Sequence, residues 1–471
     1  MTPNPNLPDN LHGRVLVTGA GVSGTGSARL LSGLGVTVTV ADDNATAREA
    51  VAAATGGAVE TVPVDLARKR LGEFSAVVTS PGWRPDSPVL RDAVTAGLEV
   101  LGDVELAYRL DRAGVFGLPR TWLVVTGTNG KTTTTAMLAA MMAQGPARSR
   151  AVGNIGIAVA DALCDPQRVD VLVAELSSFQ LHWSSELAPD AGVLLNLAED
   201  HLDWHGSFTA YAADKAKVLT GLIAVAGIDN PHVRELDLTG VTGFTLGVPE
   251  PGDFGVSGGN LVDNTAGQMT VLAPVDGIEP PGPAGVLDAL AAAAIARSQG
   301  ITPAQIAVAL AGFQVSGHRG QVVHRAGGVT FIDNSKATNP HAADAALAGL
   351  ERVIWIAGGQ LKGAEVDELI TAHADRLKAV ALLGVDRDLI AAALHRLAPQ
   401  VPVLRTDSTD PVAAMDELLT AVAEIASPGD TVLLAPAAAS LDMYTGMAQR
   451  GELFAAAARA TMGADREGDL P

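Results

Sequence analysis

An α/β chain of three domains, each laid on a mainly parallel sheet, is the fold class that this sequence predicts, and three observations predict it. Apolar, β-branched runs alternate with helix-spaced segments along nearly the whole length. Two of those runs open into glycine turns of different kinds, one near the start and one near residue 127. At 471 residues there is room for about three domains of the usual ~150. The expected boundaries are 1–103, 104–317 and 318–471.

The first domain opens with the run Arg14 to Thr18, then Gly19-Ala20-Gly21-Val22-Ser23-Gly24, a helical stretch from Ser27 to Leu34, and a second strand from Val36 to Val40 with Asp42-Asp43 at its end. This is a G-x-G-x-x-G turn in a βαβ unit with an acid about twenty residues on, the Rossmann-like pattern that holds a nucleotide's phosphates and ribose. A purely structural tight turn is the plain alternative. Ala76 to Thr79 reads as a further strand, and Asp103 to Leu110 as a helix leading into the next domain.

The middle domain turns on Val124-Val125-Thr126-Gly127-Thr128-Asn129-Gly130-Lys131-Thr132-Thr133, with an Ala/Met/Leu-rich helical segment behind it. Strand, phosphate loop and helix follow, as in P-loop ATPases. Gly127 and Gly130 let backbone N–H groups face an anion, Lys131 neutralises outer phosphates, and the Thr132 hydroxyl suits Mg2+. The loop is shorter than the common GxxxxGK[ST] form, since Val occupies position 125. An ordinary glycine turn before a surface helix is the competing reading.

Three further stretches of this domain carry polar groups. The strand Val169 to Ala174 ends in Glu175-Leu176-Ser177-Ser178-Phe179-Gln180-Leu181, and a carboxylate at that tip suits Mg2+, or else caps a helix. Val193 to Leu197 runs into Glu199-Asp200-His201-Leu202-Asp203-Trp204-His205, which lacks the spacing of zinc signatures, so His201 reads as structural or linked to Mg2+. Phe208 to Lys217 reads as a helix on which Lys215, taken alone, is solvated. Gly227 to Pro283 promises edge strands and loops, and two helices follow, Gly285 to Gln299 and Thr302 to Ala311.

In the last domain the apolar strands Val329 to Asp333, Val353 to Ala357, Ala379 to Leu383 and Thr431 to Ala435 are separated by helical patterns, a second Rossmann-like alternation. Their ends carry Asn334, Lys336, Thr338, Lys362 and Ser440, and ligands of open α/β sheets sit at that edge.

A net charge of −20 excludes nucleic acid and anionic membrane as partners, so anions must be gripped locally. Cys164 is the single cysteine, cannot form an internal disulfide, and reads as a small packing or surface residue of a protein from a reducing compartment. Met1 to Asn10 has neither a basic nor an apolar leader segment. The apolar run Gly285 to Ala296 is broken by Asp288 and falls short of the ~20 residues a span needs. A cytoplasmic protein without membrane insertion is expected.

Taken together, Gly127 to Thr132, Gly153-Asn154-Ile155-Gly156, Glu175 to Leu181, Glu199 to Asp203, Ser335-Lys336-Ala337-Thr338-Asn339 and Ser440-Leu441-Asp442 resemble the Mur ligases of peptidoglycan synthesis, from about Arg14 to about Phe454. The phosphate loop is shared with folylpolyglutamate synthase. The stretches at Glu175 and Ser335 are more specific, and within the family they resemble the branch that adds D-glutamate. That resemblance implies an ATP-dependent ligase. ATP phosphorylates the alanine carboxylate of UDP-N-acetylmuramoyl-L-alanine, and the amine of D-glutamate displaces the phosphate. Mg2+, as two ions, is the implied cofactor; a monomer is expected.

Residue by residue, the resemblance assigns the ATP phosphates to Gly127, Thr128, Asn129, Gly130, Lys131, Thr132 and Thr133, with Arg319, beside His318, and Asn334 also at the nucleotide. It gives the metal to Thr132, Glu175, His201 and Lys215 as its carbamate, Lys217 being the runner-up. Asn154 and His201 fall at the reacting carboxylate, Val22, Ser23 and Asp42 at the uracil end, and Lys336, Thr338, Lys362, Ser440 and Leu441 at D-glutamate. Lys131, Asn154, Glu175, His201 and Lys215 form the implied catalytic set. The chain departs from the family at Asp288, where an Asn near the adenine is usual, and at Gln321, where an acid often stands. Another Mur ligase or a folylpolyglutamate synthase is the neighbouring alternative. A nucleotide sensor without chemistry leaves Lys131, Glu175 and His201 unexplained, and an NAD-dependent dehydrogenase leaves the phosphate loop unexplained.

Overall fold

The computed structural model describes residues 6–315 and 317–461. Residues 1–5, part of the stretch read above for a leader, and 462–471 of the last segment lie outside the described residues. Two compact units emerge, Met1–Asp276 with Leu287–Ala311, and Gly277–Val286 with Gly312–Pro471.

The first unit holds two sheets. The smaller has β1 (Arg14–Thr18), β2 (Thr37–Ala41), β3 (Glu60–Val62), β4 (Ala76–Thr79) and β5 (Glu99–Gly102), all parallel in the order β3-β2-β1-β4-β5. Successive residues of β1 explain its unbroken apolar run: Val15 and Val17 pack into one core, Leu16 into the core on the opposite face. The strand order reverses at β1, so its carboxyl end is the crevice of this sheet. There α1 (Val22–Gly33) begins earlier than the Ser27 expected, because Gly21 caps it in an extended conformation and small residues bring the helix onto the strand end. A Cβ on Gly24 would lie 1.8 Å from the Gly19 carbonyl oxygen, so no other residue fits.

The larger sheet takes β6 (Thr121–Thr126), β7 (Ser149–Gly153), β8 (Val171–Glu175), β9 (Ala191–Leu194), β10 (Ile223–Gly227), β11 (Thr242–Phe244), β12 (Phe254–Ser257), β13 (Asn260–Asp263) and β14 (Thr270–Pro274). Their order is β14-β13-β12-β11-β10-β9-β6-β8-β7. The seven strands from β6 to β12 run parallel, and β13 and β14 close the edge by antiparallel pairing. Those last strands are what the Gly-rich stretch before Pro283 becomes. The order reverses at β6, which places the phosphate loop in the crevice, ahead of α2 (Lys131–Met142).

The second unit carries β15 (Gln321–Ala326), β16 (Val329–Asp333), β17 (Val353–Gly358), β18 (Leu377–Leu383), β19 (Val403–Arg405) and β20 (Thr431–Leu434) in the order β15-β16-β20-β17-β18-β19, parallel except for β15. Its sheet is buried on both faces, Trp355 and Leu433 on one, Ile354, Ile356 and Val432 on the other. Among the described residues no helix is long and apolar enough to cross a membrane.

Candidate active site

The loop after β6 is built by positive-φ glycine and long-range hydrogen bonds. Gly130 caps α2 at φ 81°, and a Cβ there would fall 2.3 Å from Asp288 Oδ1. Asp288 itself accepts the Thr134 hydroxyl at 3.0 Å, so it ties the first turn of α2. Asn196, after β9, holds the other side: its Oδ1 accepts the Asn129 N–H at 2.9 Å and its carbonyl the Thr128 N–H at 3.0 Å. The buried Thr128 hydroxyl lies 2.9 Å from the Tyr211 hydroxyl. Lys131 folds back along the loop, donating to the carbonyls of Gly127 (2.9 Å) and Thr128 (2.7 Å). Thr132 stands half-buried in the first turn of α2, with Thr133 buried behind it.

Glu175 ends β8 in register with Val125 of β6 and Gly153 of β7. Its Oε1 accepts from Asn154 Nδ2 at 2.9 Å, while Oε2 is buried with no hydrogen-bond partner. Leaving a buried acceptor so costs about 1–3 kcal/mol. The capping alternative for Glu175 is overturned, because Ser177 and Gln180 cap α3 (Ser178–His182) with a reciprocal box.

Lys215, on α4 (Phe208–Ala216), is not solvated, as it would be if read alone. It is 2 % exposed, donates to the Gly127 carbonyl at 2.7 Å and lies 5.0 Å from the Tyr211 ring centre. Burial, then the charge of Lys131, pull its amine well below the ordinary 10.5, with Asp200 and Glu175 opposing. Lys217 points elsewhere, donating to the carbonyls of Leu181 and His182 and pairing with Asp214 at 3.0 Å. His201 sits in the left-handed region at φ 53° with its ring 4.7 Å from Phe179. Burial holds its imidazole below the usual 6.5, Asp200 opposes, and Lys215 and Lys131 push the same way as burial.

His205 packs on the same Phe179 ring as His201, its own centroid 5.6 Å from that ring's, but has other polar partners. Its Nε2 is 3.0 Å from Ser178 Oγ, and its Nδ1 is 3.1 Å from Asp214 Oδ2, which His182 Nδ1 also approaches at 2.8 Å. Among the described residues these three are the cluster of His, Cys, Asp and Glu side chains whose ligand atoms converge as a metal site needs, but the Lys217 ammonium already neutralises Asp214.

In the smaller sheet Val22 is 69 % exposed at the start of α1 and Ser23 is half-buried. Asp42 reaches back to the glycine turn, accepting the Ala20 N–H at 2.7 Å. In the second unit, Arg319, Asn334, Lys336, Thr338, Lys362, Ser440 and Leu441 all lie on loops at the carboxyl edge of the sheet or just before β15. These loops are stitched together. Lys336 N–H donates to the His318 carbonyl at 3.2 Å, Ala437 N–H to the Ala337 carbonyl at 2.9 Å, and Gln360 and Ala439 exchange backbone bonds at 2.8 and 2.9 Å. Ser440 is buried, and Lys362 and Leu441 are exposed.

The site residues therefore fall into two groups, one in each unit. Residues 13–102 match the MurD-like N-terminal domain of Mur ligases, 125–268 the Mur ligase middle domain, and 318–438 the Mur ligase glutamate ligase domain. A Corynebacterium efficiens protein named UDP-N-acetylmuramoylalanine--D-glutamate ligase is 62 % identical over 98 % of this chain and 98 % of its own. This chain belongs to the Mur ligase family. The Mycolicibacterium smegmatis ligase of the same name is 50 % identical, covering 96 % of this chain and 97 % of that one. Among solved structures, UDP-N-acetylmuramate-alanine ligase MurC from Thermotoga maritima superposes with a TM-score of 0.57 at 19 % identity, over 96 % of this chain and all of that one, a likeness of fold.

Three residues that shape the phosphate loop of this Mur ligase escaped the sequence reading. Asn196 and Tyr211 had no local signal. In the sequence Asp288 stands out as a break in an apolar run and a departure from the family pattern, with nothing to link its carboxylate to Gly130 and Thr134, against which it packs.

Proposed function

We propose that this chain adds D-glutamate to UDP-N-acetylmuramoyl-L-alanine at the expense of ATP, in peptidoglycan precursor synthesis. The buried, unpartnered Oε2 of Glu175 beside a lysine-bearing phosphate loop is the observation that carries the reading, since it pairs an anion grip with a place for a hard cation. ATP use follows from the family. The division into domains at 1–103, 104–317 and 318–471 is part of the proposal, as is action in the cytoplasm as a monomer.

Each residue group has a task. Loop N–H groups from Gly127 to Thr133 and the Lys131 ammonium hold the triphosphate, and the family resemblance assigns Arg319 and Asn334 to the nucleotide as well. The alanine carboxylate, steered by Asn154 and His201, attacks the γ-phosphorus, and ADP departs. The amine of D-glutamate then adds to the acyl carbon; the tetrahedral adduct expels phosphate, and the amine's proton leaves to give the amide. Val22, Ser23 and Asp42 hold the uracil end of the nucleotide substrate. Lys336, Thr338, Lys362, Ser440 and Leu441 hold D-glutamate, its two carboxylates matching the two lysines. Thr132, Glu175, His201 and the carbamate of Lys215 would hold Mg2+, as two ions, which disperses the charge developing on the transferred phosphoryl group. A buried amine pulled toward its neutral form is the species that takes up CO2, which supports the modification at Lys215.

An assay of ADP release across amino acids tests the proposal. Turnover requires both the UDP-muramoyl-alanine nucleotide and D-glutamate. Equal turnover with L-lysine, diaminopimelate or a folate acceptor overturns it.

A further inference from the structure

The loops assigned above to D-glutamate share one buried organiser that no motif pointed to. Arg450, on α6 (Met447–Thr461), with α5 being Pro283–Ser298, is 0 % exposed. Its Nε donates to Ser335 Oγ at 3.0 Å. One terminal nitrogen reaches the carbonyls of Gly358 (3.3 Å) and Ala438 (3.2 Å), and the other those of Ser335 (2.9 Å) and Ala438 (3.3 Å). Those acceptors lie in the loops after β16 and β20 and at the last residue of β17, and the three loops that begin there carry Lys336 and Thr338, Ser440 and Leu441, and Lys362 respectively. Burial draws the guanidinium down to about 10, so it stays charged at neutral pH.

Two of the loops are held in conformations that a free chain avoids. Lys362 and Ala437 adopt φ of 54° and 58°, each costing roughly 1–2 kcal/mol for a residue with a Cβ. Such backbone persists only where neighbours over-determine it. The carbonyls of Gly358 and Ala438 are fixed by Arg450, the latter directly after Ala437. Gly451 completes the seat, because a Cβ there would meet Asp333 Oδ2 at 2.4 Å.

We infer that Arg450 is the positioning residue of the amino-acid site: its planar fork sets the spacing of Lys336, Lys362 and Ser440 and so the fit to a dicarboxylic amino acid. The inference rests on the D-glutamate assignment of those residues. Lysine at 450 keeps a charge but lacks the fork that ties three loops at once.

Steady-state kinetics on the full chain test this. In Arg450→Lys the KM for D-glutamate rises about ten-fold or more while the KM for the UDP-muramoyl-alanine nucleotide stays at the wild-type value. A role in folding alone lowers kcat per mole and the melting temperature without moving either KM, and a wild-type D-glutamate KM in folded Arg450→Lys overturns the inference. Should Arg450→Lys fail to fold, Ser335→Ala decides. It removes the acceptor of Nε, and an unchanged D-glutamate KM is again the refutation. Lys336→Ala is the control for the underlying reading. If it leaves the D-glutamate KM unchanged, the site itself is misplaced and the inference goes with it. If it raises that KM while Arg450→Lys does not, only the inference fails.

Discussion

Replacing Gly130 by alanine probes the phosphate loop where its geometry is most constrained. The residue sits at φ 81°, where an L side chain costs about 1–2 kcal/mol. The new methyl would also lie 2.3 Å from Asp288 Oδ1, so the carboxylate must swing away and release the Thr134 hydroxyl, a charged hydrogen bond worth about 1.5–3 kcal/mol. The sum is a loss of about 2.5–5 kcal/mol at the start of α2. In the proposed site the same N-terminus meets the phosphates, so ATP affinity falls as well. Urea unfolding followed by tryptophan fluorescence, with calorimetric titration of an ATP analogue, reads both effects. Asp288→Ala on top of Gly130→Ala adds less than it costs alone, since the carboxylate has already lost its place. A Gly130→Ala protein with wild-type stability and ATP affinity refutes the reasoning.

Three further outcomes are expected. Lys131→Ala abolishes ADP release and weakens ATP binding, measured by titration. Lys215→Ala loses most turnover, which millimolar short-chain carboxylate restores in part, whereas Lys217→Ala keeps it; the reverse pattern transfers the role to Lys217. Burial, against the opposing charge of Asp214, holds His205 below 6.5. The unfolded chain therefore takes up a proton there that the folded one resists, so stability falls as pH drops below 6.5, and the loss is smaller in His205→Gln by denaturation at pH 5 and 7. Parallel pH dependences in the two proteins would remove His205 from that account.

What the sequence disclosed was what lies close together along the chain. The phosphate loop and Glu175 at a strand tip announce themselves because glycine, lysine and hydroxyls at a strand-to-helix junction are local signals. So are the doubly buried strands of the first and last sheets in chain order, whose unbroken apolar runs have no polar face. Lys215 read locally as a surface lysine. It is buried because Gly127, 88 residues earlier, offers a carbonyl. Thr134 and Asp288 are 154 residues apart, and Arg450 meets Ser335 across 115, contacts that no periodicity encodes. α1 was placed late because glycines at 24 and 26 argue against helix by propensity, while packing on β1 requires them there.

Glu175 owes its position to pairing rather than to any turn. Its Cα is matched on one side to Val125 and on the other to Gly153. The segments that follow these strands can therefore be lengthened or recomposed without moving the carboxylate, so substrate preference is free to change around a constant acid. Deleting one residue within β8 does the opposite: it turns Glu175 to the far side of the sheet and brings an apolar neighbour into its place.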